Sequence, residues 1–362
     1  MQIKEFLKQL SEASGVSGYE ANVRDLVREE FSQYADEIRV DTMGSLIALK
    51  RGEIEPGQGM PRPDIPRHSI MLAGHMDEIG LLVTKLEKGF LRFATVGGFD
   101  LRVLLGQEVV VHGRRDLPGI IATRPPHVLT TEEREQVVPL DKLFIDVGLP
   151  EDELGKWVRV SDVITLRRQF TELAGNLVCG KAFDDRAAVV CIANCLQHLA
   201  SMKHTWDVYA VATVQEEVGL KGALTSTFGI APDVGIAIDV GHGNMLGVSE
   251  VDTANVGGGP AIGFGPNIHP LIYSRLVETA KSYEIAYQPD PIPGHSGTDA
   301  WAMQVTREGI PTGLVSIPLR YMHTSVETLS LKDLERVGRL LALSIAGLDE
   351  AFAKELGLRD RA

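Results

Sequence analysis

Apolar positions at helical spacing open the chain. Ile3, Phe6, Leu7 and Leu10 predict an amphipathic helix with charges on its other face. Val23, Leu26, Val27 and Phe31 predict a second helix, with Ser17 and Glu20 readable as a capping box before it. Residues 40–50 read as a strand pair around a glycine turn, and the Pro- and Gly-dense stretch 52–67 as an exposed loop. The grammar then changes. Between 79 and 172 the short runs IGLLV, FLRFATV, EVVVHG, GIIAT, KLFIDVG, WVRV and VITL alternate with Gly, Pro or charged turns, which predicts a small all-β barrel or sandwich. From 173 the helix and strand alternation returns. A helix is expected after Asp185, strands before Glu216 and Asp239, a helix over about 270–284 and a strand ending near Ile317. The closing helix starts at Ser330 with Asp333 as cap partner and buries Leu334, Val337, Leu341 and Ile345. The expectation is an α/β domain, discontinuous over 1–76 and 173–362, with an all-β domain inserted at 77–172.

Composition narrows this picture. A length of 362 residues suits two domains, and 44% hydrophobic residues supply a large core, which excludes disorder as the main state. The net charge of −13 disfavours a nucleic-acid partner bound through a basic face. Cys179, Cys191 and Cys195 form no CxxC and read as small hydrophobes in a reducing compartment. No run approaches the ~18 apolar residues of a membrane span, and the N-terminus lacks the unbroken apolar core of a signal peptide. A cytoplasmic location with no membrane partner is expected.

The chemistry gathers where apolar runs end. SIMLAG leads into His75 and Asp77, VYAVATV into Glu216 and Glu217, VGIAI into Asp239, and GLVSIP, a few residues on, into His323. Such runs suit buried parallel strands, and ligands bind beyond the carboxyl ends of those strands. Asp184 and Asp185 stand between a loop and a helix start. Each fragment alone has an ordinary reading: a loop histidine, acids at a helix N-terminus, a solvated turn. Asp239 is harder to dismiss, because a carboxylate after five apolar residues needs a partner. Together, imidazole and carboxylate donors on one crevice suit zinc, cobalt or manganese, and the number of acids favours two ions roughly 3.5–4 Å apart. One acid then stays free to take a proton from the water between them.

The ordered motifs GHMDEIG (74–80), GKAFDDR (180–186), VQEEVGLKGA (214–223), AIDVGH (237–242), GTDA (297–300) and RYMHTSVETL (320–329) resemble the tetrahedral aminopeptidases. That family of co-catalytic metallopeptidases includes glutamyl aminopeptidases and proteins once labelled cellulase or endoglucanase M. The resemblance runs from about residue 5 to 345. It implies a mixed-sheet α/β/α metallopeptidase domain, an inserted β domain used for dimerisation, and peptide substrates cut at their free amino end. It implies a homo-oligomer, either a dimer or a tetrahedral dodecamer. It also implies roles. His75, Asp184 and Asp239 would hold one metal, and Asp184, Glu217 and His323 the second. Asp184 would bridge, supported by Asp185; Asp77 would orient His75, and Glu216 would be the general base acting on the bridging water. Asp299 and Arg320 are candidates for touching substrate. The loop 52–67 is longer than the family pattern, and His295 stands where glycine is expected. His295 and His242 both read as loop residues, and Gly257–Pro260 as a backbone turn beside the substrate.

Three other readings compete, the weakest a non-enzymatic scaffold that has kept the fold, since the proposed base and ligands are all intact. An endoglucanase-type glycosidase needs two carboxyls framing a bond at about 5–5.5 or 6.5–9.5 Å, and it leaves the histidines unexplained. A deacylase or carboxypeptidase on the same metals would accept a blocked amino terminus.

Overall fold

The four apolar runs that end in an acid or a histidine lie together in one sheet of the computed structural model, which describes residues 1–53 and 68–358. Helices α1 (Ile3–Glu12) and α2 (Ala21–Phe31) lead into the hairpin β1 (Glu37–Val40) and β2 (Leu46–Lys50), followed by β3 (Ser69–His75). Most of the loop expected at 52–67 falls outside the described residues. Strands β4 (Gly80–Glu87), β5 (Phe90–Val96), β6 (Glu108–His112), β7 (Asp116–Ala122), β8 (Phe144–Asp146) and β9 (Val163–Leu166) close a barrel in the order β4-β5-β8-β7-β6-β9. Within it run the short helices α3 (Thr131–Arg134) and α4 (Glu151–Trp157). The chain returns through β10 (Thr171–Glu172) and β11 (Leu177–Gly180) to the long helix α5 (Phe183–Leu199). Then follow β12 (Asp207–Thr213), α6 (Lys221–Ile230), β13 (Val234–His242), β14 (Ala261–Phe264), α7 (Pro270–Ser282) and β15 (Gln288–Pro291). The chain closes with α8 (Asp299–Gln304), β16 (Thr312–Leu319), β17 (Glu327–Ser330), α9 (Leu331–Ala346) and α10 (Glu350–Glu355).

The main sheet has the order β1-β2-β12-β3-β13-β16-β14-β15. Its centre, β12-β3-β13-β16, is parallel throughout, while β2 and β14 pair antiparallel at its flanks. The fold is thus a mixed-sheet α/β body carrying a closed six-stranded barrel. Helices α1, α2, α5 and α9 cover one face, where Leu7, Leu10, Val23, Val27, Phe183, Leu196 and Leu341 share a core. Each such side chain contributes roughly 1.5–3 kcal/mol when fully buried. Helices α5 and α9 cross so closely that a Cβ on Gly338 would lie 2.8 Å from the Cβ of Asn194. The barrel has a separate core around Leu81, Leu91, Val109, Ile121 and Ile145.

Three local expectations are corrected. Ser17 caps no helix: its hydroxyl donates to Asp77 Oδ2 at 2.6 Å, and Glu20 instead accepts the backbone amides of Gly18 and Gln215. Asp333 does not cap α9 either. Its buried carboxylate accepts the amides of Gly257 and Gly259, anchoring the glycine turn from the core side. Only glycine fits at 259, where φ is +97° and a Cβ would lie 1.9 Å from the Ala286 carbonyl. The run WVRV is no strand. Pro150 and three acids start α4, whose Leu154 drops into the barrel core with Val158 just beyond the helix. The closing helix does bury Leu334, Val337, Leu341 and Ile345, and the three cysteines are buried and unpaired.

Candidate metal centre

Parallel strands deliver the site. In register, Thr213 of β12 sits beside His75 of β3, and Asp239 of β13 beside Ser316 of β16. The sheet therefore presents its polar groups at one end, where the apolar runs stop. Beyond β12 the chain turns through Gln215 at φ +54°, a left-handed conformation costing roughly 1–2 kcal/mol in a non-glycine residue. The hydrogen bond from its amide to Glu20 holds the turn that presents Glu216 and Glu217. His323, at φ +60°, is held likewise by Glu327. Asp184 and Asp185 stand at the start of α5, joined by a cis peptide.

Asp184 is shared between two histidines. Its Oδ1 lies 3.2 Å from His75 Nε2 and its Oδ2 3.3 Å from His323 Nε2. His323 Nε2 is also 3.4 Å from Glu217 Oε1, and His75 Nε2 is 3.8 Å from Glu216 Oε2. Donor atoms of His75, Asp184 and Asp239 lie within 4.8 Å of one another, as do those of Asp184, Glu217 and His323. A third group within the same limit, His75, Glu216 and Glu217, joins the two.

Asp77 works behind this layer. It is fully buried, with Oδ1 3.4 Å from His75 Nδ1, and its backbone carbonyl is 3.2 Å from the same nitrogen. The Asp77 carboxylate also accepts the amides of Glu216 and Glu217. One residue thus orients the imidazole and the segment carrying both glutamates. Asp185 accepts the His75 amide at 3.2 Å.

The electrostatics call for cations. Burial, reinforced by Asp184 and Asp299, pushes Asp239 well above the carboxylate range despite His75 nearby. Burial does the same to Asp185, with Asp239 adding to it. Glu216 is pushed up to about 10 and Glu217 to about 7, burial leading in both and neighbouring acids adding to it. Asp184 is held low against burial by its hydrogen bonds to His323 and His75. Burial works against a charged His75, but Asp184 and Asp77 outweigh it and raise the ring well above its ordinary value. Asp184 lifts His323 to about 9. Among the described residues, Asp185 Oδ1 and Asp299 Oδ1 are buried without a hydrogen-bond partner. So many desolvated oxygens around two imidazoles fit divalent metal ions, which offset carboxylate repulsion and take neutral histidine nitrogen.

The cluster forms one wall of a cavity of about 810 Å³, continued by β13, the segment after it, and the 289–298 segment. His242 lines this cavity; exposed His295 does not, its ring stacking instead on Trp301 at 4.2 Å. Asp299 and Arg320 are not among the lining residues. Asp299 is buried and accepts the Thr213 hydroxyl at 2.5 Å, while Arg320 donates to the carbonyl and side-chain oxygens of Asn244. The Gly257–Gly259 turn does not reach the cavity lining either.

Sequence reading missed Glu327, which accepts the amides of Phe183, Asp184 and His323 and so ties both ends of the second cluster together. Its position four residues after His323 was the one available signal. Also missed were buried Glu78, paired with Lys181 at 2.7 Å and Arg186 at 3.0 Å, and the barrel's Gly97–Gly98 turn. A Cβ on Gly98 would lie 3.2 Å from His323 Nδ1, so the barrel backbone closes against the second cluster.

The chain is similar to known peptidases in sequence and in fold. The family described as M42 glutamyl aminopeptidase matches residues 63–340. A lysyl aminopeptidase of Pyrococcus furiosus is 34% identical over 343 residues, covering 93% of this chain and 94% of the relative. The solved aminopeptidase APDkam598 of Desulfurococcus kamchatkensis superposes with a TM-score of 0.89 at 39% identity, over 98% of this chain and 97% of that one. The TET1 peptidase of Pyrococcus horikoshii, described as assembling into a tetrahedron or a large octahedral shell, gives 0.82 at 32% identity, over 96% and 100%.

Proposed function

The chain belongs to the M42 glutamyl aminopeptidase family, and from that premise we propose that it is a dinuclear metallo-aminopeptidase releasing N-terminal residues from peptides. The observation that carries the reading is Asp184, one carboxylate whose two oxygens face two separate histidine-containing groups. His75, Asp184 and Asp239 would hold one divalent ion, and Asp184, Glu217 and His323 the other, with zinc, cobalt and manganese all suited to these donors. When bound, the ions supply Lewis acidity toward the scissile carbonyl and lower the pKa of a nearby water.

The remaining work falls to side chains. Glu216 Oε2 takes the water proton and returns it to the departing amide nitrogen. Asp77 fixes the His75 ring and, through the Glu216 amide, the base itself. Asp299 stays beneath the site, braced by Thr213.

The likeness to the Pyrococcus horikoshii shell supports a homo-oligomer, and the barrel domain, over the span 77–172, would supply its contacts. Exposed Ile120, Val128 and Val137 on that domain give such contacts apolar surface. No described helix is long and apolar enough to cross a membrane, and a cytoplasmic setting fits the unpaired cysteines.

The test is a panel of aminoacyl chromogenic amides on chelator-stripped protein, with zinc, cobalt or manganese restored. Carboxymethylcellulose and an N-acetylated peptide run alongside. Metal-dependent release from unblocked substrates alone supports the proposal. Consumption of the sugar or the blocked peptide instead overturns it.

A further inference from the structure

The cavity beside the cluster has a chemical character of its own. Asp239 and Ser316 are direct neighbours across β13 and β16, and Ser316 donates to Asp290 Oδ2 at 3.2 Å. That places the Asp290 carboxylate roughly 8 Å from Asp239, one strand spacing and one hydrogen bond away. Asp290 and Asp252 both line the cavity, and neither lysine nor arginine does so among the described residues. Among the described residues the basic groups lining it are histidines 75, 242 and 323. Apolar Ala261, Leu314, Pro291, Ile292, Pro318 and Met322 line the same cavity. Burial raises the Asp290 carboxyl, with the Ser316 hydrogen bond and then His242 pulling the other way.

An acid in a cavity with several apolar lining residues is complementary to a long aliphatic stem tipped with a cation. The geometry points to Asp290 as a specificity-determining residue that receives a lysine or arginine side chain at the substrate's amino terminus, a preference that rests on the aminopeptidase reading above. The same acid repels a glutamyl side chain, so the enzyme discriminates against acidic amino termini.

Two measurements on the metal-loaded enzyme test this. In the first, kcat/KM is compared for lysyl, arginyl, leucyl and glutamyl p-nitroanilides. The expected order is basic above leucyl above glutamyl. Asp290→Asn should lower the lysyl-to-leucyl ratio by at least about tenfold, the scale of one lost charged hydrogen bond. Asp290→Lys should raise glutamyl relative to lysyl. A glutamyl optimum, or a lysyl-to-leucyl ratio that Asp290→Asn leaves within twofold, overturns the assignment. The second measures binding of the α-amides of lysine, leucine and glutamate by calorimetry, where no turnover is needed. The same order supports the pocket and the reverse overturns it. Absence of release from every unblocked substrate would instead count against the aminopeptidase reading, leaving the binding order to judge Asp290.

Discussion

The Asp77 carboxylate accepts the backbone amide of Glu216 at 3.1 Å, across 139 positions of sequence. That bond makes the position of the proposed base depend on the residue that also orients His75. Chemistry at Glu216 and geometry at Asp77 are therefore separable by mutation.

Glu216→Gln keeps the shape of the side chain and removes its basicity. It should retain two metals per subunit by elemental analysis while kcat falls by about 10²–10⁴-fold. Wild-type turnover in this variant would exclude Glu216 as the base.

Glu327→Ala should act on metal retention. It frees the amides of Phe183, Asp184 and His323 together, so the second cluster loses its brace. Loss of supporting contacts of this kind costs roughly 10–100-fold in metal affinity. Competition with a graded chelator series should show one ion weakened more than the other. Equal weakening of both would assign Glu327 a general structural role.

Glu78 should govern acid stability. Its pairs with Lys181 and Arg186 hold its pKa below the ordinary value against burial, while burial lowers Lys181. A depressed carboxylate contributes stability above its unfolded pKa of about 4.5 and loses it as pH falls further. Glu78→Gln should cost about 3–5 kcal/mol at pH 7 by denaturant unfolding, since it strands two buried cations. The gap to wild type should close as pH drops below that value.

Metal removal should reverse the sign. In the metal-free protein burial lifts Asp299 to about 6 and Glu217 to about 7. Raised groups contribute stability fully below the unfolded pKa, and that contribution is lost as pH rises through the folded value. The stripped protein should therefore melt higher at pH 5.5 than at pH 8.5. Metal binding requires the deprotonated ligands, so stabilisation by added zinc should grow over the same interval. Parallel pH trends with and without metal would speak against Glu217 as a ligand.

The architecture was legible because its signals are local. Four apolar runs ending in acids or histidine became neighbouring strands, and the turn-rich stretch became a barrel. What escaped was choice of partner. Ser17 had the spacing of a capping residue, yet Asp77 captured its hydroxyl from 60 positions away. Asp333 looked like a helix cap and was taken by two glycine amides instead. Trp157 and Val158 read as strand until the acids after Pro150 were seen to start a helix. Asp299 and Arg320 show the same limit: sequence suggests their chemistry, but not that Thr213 and Asn244 would be their hydrogen-bond partners.

The barrel interrupts the α/β body between two of the residues it brings together, so 109 positions separate His75 from Asp184. Synthesis proceeds from the amino terminus at about 5–20 residues per second. A chain still on the ribosome can hold a finished barrel while His323 has yet to be made. The acids and imidazoles then meet only after the last strands of the sheet have been translated and docked. The proposed hydrolytic capacity is thereby withheld from any translation product that stops short of His323.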